Sequence, residues 1–318
     1  MADPGGARRR ESEGDEMKIG VSLTSSFSAG TDGRAGARMM IERAGAARRA
    51  GLDSLFVGDH HATPGPYYQN VPILARCLAE WGDAPYGALF LLPLWNPVLL
   101  AEQVGTLATL APGRFIVQTG LGDGEDQFAA MGARVKARVS MFEESIDLVR
   151  RMLRGEVVSS SGRFQFRDGR VSPRPAEAVH FWLGGTAEPA IDRAARLGDA
   201  WLASPGLTPK QASALIGYYK DRCRAHGKAP ATIAIRRDIY VGESDAEADK
   251  VGGTRVRGGY RGFSPDAPVY GSVAAVAAKF RELAQMGYTD VIIRHLVDDQ
   301  AQVLASYIRL AEVRKAVA

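Results

Sequence analysis

Residues 51–61 read GLDSLFVGDHH, and the last three residues bring a carboxylate and two imidazoles together. An unperturbed imidazole titrates near neutral pH, which suits it to general acid–base work. Two of the five histidines in the chain, His60 and His61, stand at this one place. Asp-His-His also reads as a set of metal ligands, but such a site needs further Asp or His at neighbouring positions. Thr24-Ser25-Ser26 offers none, and residues 114–119 and 199–203 add no histidine. Asp59 alone also fits a helix N-cap, a reading that explains neither histidine.

Other clusters are small rather than ionisable. Thr119-Gly120-Leu121-Gly122 starts like a dinucleotide fingerprint, but the G-x-G-x-x-G spacing fails at Glu125. What survives is room for a flat group to approach the backbone. Gly184-Gly185-Thr186 precedes a helical pattern and suits a phosphate at a helix N-terminus; a tight loop with Thr186 as N-cap is the alternative. Ser204-Pro205-Gly206 is a second small cluster that would complete an anion cradle. Trp95, in LFLLPLWNP, reads either as the wall of an apolar pocket or as core. Tyr67 and Tyr68 are candidates for a pocket rim. His295 ends an apolar run beside Arg294, His180 begins one, and His226 lies at a helix end.

The elements that must carry these residues repeat one grammar. An amphipathic helix ends at a glycine and a short hydrophobic run follows, as in RMMIERAGAARRAG before LDSLFVGDH and SVAAVAAKFRELAQMG before YTDVIIRHL. Glycine just past a helix end takes the left-handed conformation that closes it. Continuous apolar runs ending in polar clusters are buried parallel strands, whose carboxyl ends carry active sites. Eight such strands are expected, over 19–24, 54–58, 86–92, 114–119, 180–183, 199–203, 232–241 and 290–295. That predicts a (β/α)₈ TIM barrel with insertions, a doubly wound sheet being the alternative. Residues 155–178 read as a hairpin and a Pro-rich stretch. Residues 243–270 read as an irregular loop.

Residues 17–318 are expected to form a single domain, preceded by a disordered tail over residues 1–16. Net charge is +4 and dispersed, which argues against nucleic acid. No run of about 18 apolar residues occurs, so no membrane span is expected and the default location is the cytoplasm. Cys77 and Cys223 have no partner motif, so neither a disulfide scaffold nor a zinc site follows.

Laid out this way, the chain resembles the bacterial-luciferase-like oxidoreductases, a superfamily of flavin-dependent monooxygenases and coenzyme F420 enzymes. The carriers are GLDSLFVGDHH, NPVLLAEQVGTLATLAPGRF, GEDQFAAMG, WLGGTAEPAIDRAARLGDAWL and GSVAAVAAKF…GYTDVIIRH. The resemblance implies a TIM barrel with a cofactor ring across its mouth and a phosphate near Gly184-Gly185. It assigns proton transfer or substrate positioning to His60. It implies support for the ring by a bulge, often with a cis non-proline peptide, near Leu89-Phe90. Asp59, Thr119, Gly120, Thr186 and Ser204 are the further cofactor-side candidates. His61, Tyr67, Tyr68 and Trp95 are the substrate-side ones. Flavin members often carry Glu-His-His here and deazaflavin members Asp-His, and this chain borrows from both. Reduced FMN with O2 and an organic small molecule is the first expectation, and F420-dependent hydride transfer the alternative. Arg236, Arg237, Arg255, Arg257 and Arg261 are the cations available for an F420 tail, a solvated loop being their simpler explanation. A separate flavin or F420 reductase and a homodimer are the implied partners.

Overall fold

A computed structural model describes residues 16–317. The expected tail therefore lies, apart from Glu16, outside the described residues. Strands β1 (Lys18–Leu23), β2 (Ser54–Val57), β3 (Tyr86–Leu91) and β4 (Phe115–Gly120) pair in sequence, all parallel. A two-stranded antiparallel hairpin, β5 (Val158–Ser161) and β6 (Gln165–Gly169), interrupts the series as expected. The parallel order resumes with β7 (His180–Gly184), β8 (Ala200–Ala203) and β9 (Thr232–Val241). A short strand, β10 (Val269–Gly271), adds to the far end of β9. Finally β11 (Asp290–His295) pairs with both β9 and β1, which closes the eight-stranded TIM barrel.

Helices α1 (Gly33–Arg49), α2 (Asn70–Trp81), α3 (Pro97–Leu110), α4 (Glu125–Ala130), α5 (Arg138–Leu153), α6 (Glu188–Leu197) and α7 (Pro209–Ala225) connect the strands through β9. The expected loop over 243–270 is instead helical at its start. Asp245–Ala248 (α8), a π-turn at Asp249–Gly253 and Thr254–Arg257 (α9) follow one another without a break. Its Gly and Arg content hid a helix held by capping: Ser244 accepts the Glu247 N–H at 3.2 Å. Helices α10 (Val273–Met286) and α11 (Gln300–Val317) complete the ring.

The glycine stops serve two different physical ends. Gly287 takes φ +100°, the left-handed cap expected after α10. Gly198 after α6 has φ −83°, so the left-handed expectation fails there. A Cβ on it would stand 2.7 Å from the Ala194 carbonyl, so space and not conformation demands glycine.

Side chains alternate along each barrel strand between the lumen and the helices. Phe56, Ile116, Trp182, Ala200, Leu202, Ala234 and Ile292 form an isolated buried cluster, the plug of the barrel. Each large member stabilises the fold by about 1.5–3 kcal/mol relative to exposure. Above this plug, at the carboxyl ends of the strands, the lumen opens.

Candidate active site

Asp59 closes the end of β2 and is wholly buried. Its Oδ2 accepts the Leu91 N–H at 2.8 Å and the Trp95 indole N–H at 2.9 Å. Its Oδ1 stands 3.3 Å from His61 Nε2, an ion-pair distance whose angle makes no hydrogen bond. Asp59 is thus a positioning residue that ties the end of β2 to the turn after β3. It does not cap a helix. Among the described residues no group of three His, Cys, Asp or Glu converges as a metal site.

His60, by contrast, is exposed and borders a cavity of 420 Å³. Its ring meets Tyr67 edge-on at 5.5 Å, and its carbonyl accepts from Gln69 Nε2 at 3.0 Å. Tyr67 lines the same cavity, and burial, reinforced by the charge of Asp59, pushes its phenol up to about 12. At neutral pH it remains a protonated donor. His61 turns the other way: its N–H donates to Gln127 Oε1 at 2.8 Å and its ring stands edge-on to Trp95 at 5.8 Å.

Several expected residues lie one position from the cavity. Leu89 lines it, but Phe90 is wholly buried and packs edge-on against Trp95 at 5.2 Å on the helix side of β3. No bulge interrupts the β3–β4 register, and among the described residues the one cis peptide joins Ser172 to Pro173. Thr119 faces away from the lumen and donates to the Trp182 carbonyl at 3.4 Å; Gln118, its neighbour, sits in the alternating lumen register with Ile116 and Gly120. Gln118 Nε2 is buried without a partner. Tyr68 donates to the Gly33 carbonyl and stands edge-on to Phe27, pinning α1 rather than facing the cavity. Trp95 packs with Leu91, Leu94 and Phe128 beside the mouth.

Across the mouth, β4, β7 and β8 end in small residues. A Cβ on Gly120 would stand 3.1 Å from Leu91, and one on Gly184 only 2.8 Å from the Thr119 carbonyl. Ser204 accepts the Gly206 N–H at 3.4 Å. Thr186 is exposed and is not the N-cap of α6; Ala187 is, and it offers no side-chain acceptor. The first turn of α6 offers an anion little: Pro189 carries no N–H, the Ala190 N–H is taken by the Ala187 carbonyl at 2.8 Å, and Glu188 adds a negative charge. A Cβ on Gly185 would lie 2.5 Å from that of Ala190, so this glycine also serves helix packing. Gly185→Ala is expected to cost about 1–3 kcal/mol by overpacking, read as an earlier urea midpoint. An unchanged midpoint would show that the loop yields freely.

The strongest charge at the mouth was legible only in part. Arg236 (β9) and Arg294 (β11) project into the cavity beside His60, and neither pairs with a carboxylate among the described residues. The Nε of each is buried without a partner. Burial, the dominant cause, lowers Arg236 to about 10, so it stays charged at neutral pH. Arg261 also reaches the cavity and pairs with the wholly buried Asp238 at 2.8 Å, where Tyr260 donates too at 3.0 Å. Arg261 has φ +51° and stands between Gly259 and Gly262, both at positive φ. Arg255 and Arg257 face elsewhere, on Asp298 and Asp249, both at 2.7 Å. His295 points out of the barrel onto Tyr307, and burial lowers it to about 3, so it stays neutral and takes no part at the mouth.

A family model described as "Luciferase-like monooxygenase" matches residues 17–287. An F420-dependent glucose-6-phosphate dehydrogenase of Kribbella flavida is 29% identical over 181 residues, 54% of each chain. One of Beutenbergia cavernae is 32% identical over 50% of each chain. The chain thus spans about half the length of the curated relatives it matches. Monooxygenase RslO1 of Streptomyces bottropensis superposes with TM-score 0.81 at 20% identity, covering 93% of this chain and 98% of its own. An F420-dependent secondary alcohol dehydrogenase, solved with an F420–acetone adduct, gives TM-score 0.78 at 17% identity, covering 95% and 99%. A type II Baeyer–Villiger monooxygenase component of Pseudomonas putida, solved with FMN, gives 0.77 at 17%, covering 93% and 97%. At these identities the solved structures speak to the fold alone.

Proposed function

Because the chain belongs to the luciferase-like monooxygenase family, we propose that it is an oxidoreductase acting on a small organic anion, with a deazaflavin of the F420 type as its ring cofactor. The observation that carries this reading is the pair of unpaired guanidiniums, Arg236 and Arg294, in one cavity with His60. Planar guanidiniums bind carboxylate or phosphate in fork geometry.

The residues fit a ring cofactor. The fit rests on Gln118 Nε2, buried without a protein acceptor, whereas glycine at 120 and 184 answers to the close approach of Leu91 and the Thr119 carbonyl. When bound, the deazaflavin supplies or accepts a hydride. His60 moves a proton to or from the substrate at the mouth, Tyr67 orients His60, and Arg236 and Arg294 hold the substrate's anionic group. The small-residue side, β4 to β8, would take the ring and its phosphate. The arginine side, β9 to β2, would take the substrate.

Three arginines at the cavity, Arg236, Arg261 and Arg294, favour an anionic ligand there. The names of the curated relatives point the same way. Reduced FMN with O2 is the second reading, supported by the likeness to FMN-binding and monooxygenase folds. A separate reductase or dehydrogenase renewing the cofactor, a homodimer through the barrel helices and a cytoplasmic location belong to the same proposal. No helix among the described residues is long and apolar enough to cross a membrane.

Titrating F420 and FMN at two ionic strengths tests the cofactor. F420 is expected to bind more tightly than FMN at both. Tight, salt-insensitive FMN binding without F420 binding would overturn the choice. Glucose 6-phosphate is the first substrate to try. Arg294→Met is expected to raise the KM for an anionic substrate by about 10–100-fold, the worth of a charged hydrogen bond, with cofactor affinity kept. Turnover of neutral substrates alone would remove the anion from the proposal.

A further inference from the structure

Arg237 follows Arg236 on β9, and the pleat sends it the opposite way, out of the barrel toward α7 and α10. It is only 2% exposed. Among the described residues no carboxylate forms an ion pair with it, and its one hydrogen bond runs from Nη1 to the Arg236 carbonyl at 3.1 Å. A guanidinium carries several donors, and burying it without a counter-charge is costly. Burial lowers its pKa to about 10, so the charge persists at neutral pH.

This side chain borders an outer cavity of 590 Å³ that shares no lining residue with the barrel mouth. That volume is typical of a small-molecule site. Val269, Leu283 and Met286 give it apolar walls. Lys210, in the first turn of α7, stands on its exposed rim, and the positive end of that helix adds to the field. Lys279 is taken by Glu282 at 3.0 Å. With Asp266 counted, the lining holds one positive charge in excess. A buried unpaired cation, apolar walls and a single surplus charge describe the complement of an amphiphilic monoanion.

We infer that this outer cavity is a second binding site for a small organic monocarboxylate, its carboxylate on Arg237 and its apolar body against Val269, Leu283 and Met286. The site is independent of the chemistry proposed for the mouth. It shares only strand β9 with it, where Arg236 and Arg237 stand back to back.

Calorimetric titration of the full chain with benzoate tests this, with neutral benzamide as control. Wild type and Arg236→Met are expected to bind benzoate and to melt higher in its presence, whereas benzamide does neither. Arg237→Met, which replaces a buried charge by an apolar chain of similar length, is expected to bind roughly 30-fold or more weakly. Should that variant fail to fold, Lys210→Glu on the exposed rim carries the test and is expected to weaken binding several-fold. Unchanged affinity in Arg237→Met or Lys210→Glu would overturn the site. So would binding lost only in Arg236→Met, which places benzoate in the mouth, or equal binding of benzamide.

Discussion

His60→Ala is expected to lower turnover by roughly 10²–10⁴-fold, the span of a lost acid–base group, and to leave the melting temperature almost unchanged. The ring is exposed at the barrel mouth and meets Tyr67 edge-on at 5.5 Å. Removing it opens no cavity and strands no buried charge, so stability should move by less than about 1 kcal/mol. His61→Ala should be milder in turnover, since that ring packs on Trp95. Severe unfolding of His60→Ala, with activity kept in the folded fraction, would mean a structural histidine and would sink the mechanism.

Its neighbour should behave in the reverse manner. Asp59→Ala leaves two buried donors, the Leu91 N–H and the Trp95 indole N–H, without an acceptor. Each orphaned donor costs about 1–3 kcal/mol, so the pair predicts a loss of about 2–6 kcal/mol in urea unfolding. Asp59→Asn keeps one carbonyl oxygen for those donors and should recover much of the loss. If Asp59→Ala unfolds at the wild-type midpoint, the carboxylate is not the fastening described. On this proposal adjacent residues of one motif divide the labour, Asp59 for stability and His60 for chemistry.

The barrel was legible because its parts are local. Most barrel strands are short apolar runs, and several of the helices before them stop at or just before a glycine. Residues 19–24, 54–58 and 290–295 needed nothing more, and the structure places β1, β2 and β11 there within a residue. The parity of those strands was not legible. A strand buried on both faces has no polar–apolar alternation to say which side chains enter the lumen. Hence Phe90 was named together with Leu89, although only Leu89 lines the cavity, and Thr119 was named where Gln118 holds the lumen register. His295 drew notice where Arg294 does the facing. Knowing that Phe56 lies inside would have fixed one strand, and the register the rest. Arg261 was a candidate cation, but its pairing with Asp238 was hidden for a different reason: 23 residues separate them, and only the fold brings them to 2.8 Å.

The mouth is fastened unequally around its rim. On the side of β2 to β4, Asp59 binds Leu91 and Trp95, the His61 N–H binds Gln127, and Asn70 donates to the Leu89 carbonyl at 2.7 Å. On the opposite side, the glycine-flanked turn at 259–262 is joined to the barrel wall through Tyr260 and Arg261 on Asp238. Descendants of this gene can therefore rewrite that turn, in length or in sequence, without disturbing the histidine. Substrate preference should drift there first, while the reactive end of the pocket is inherited intact.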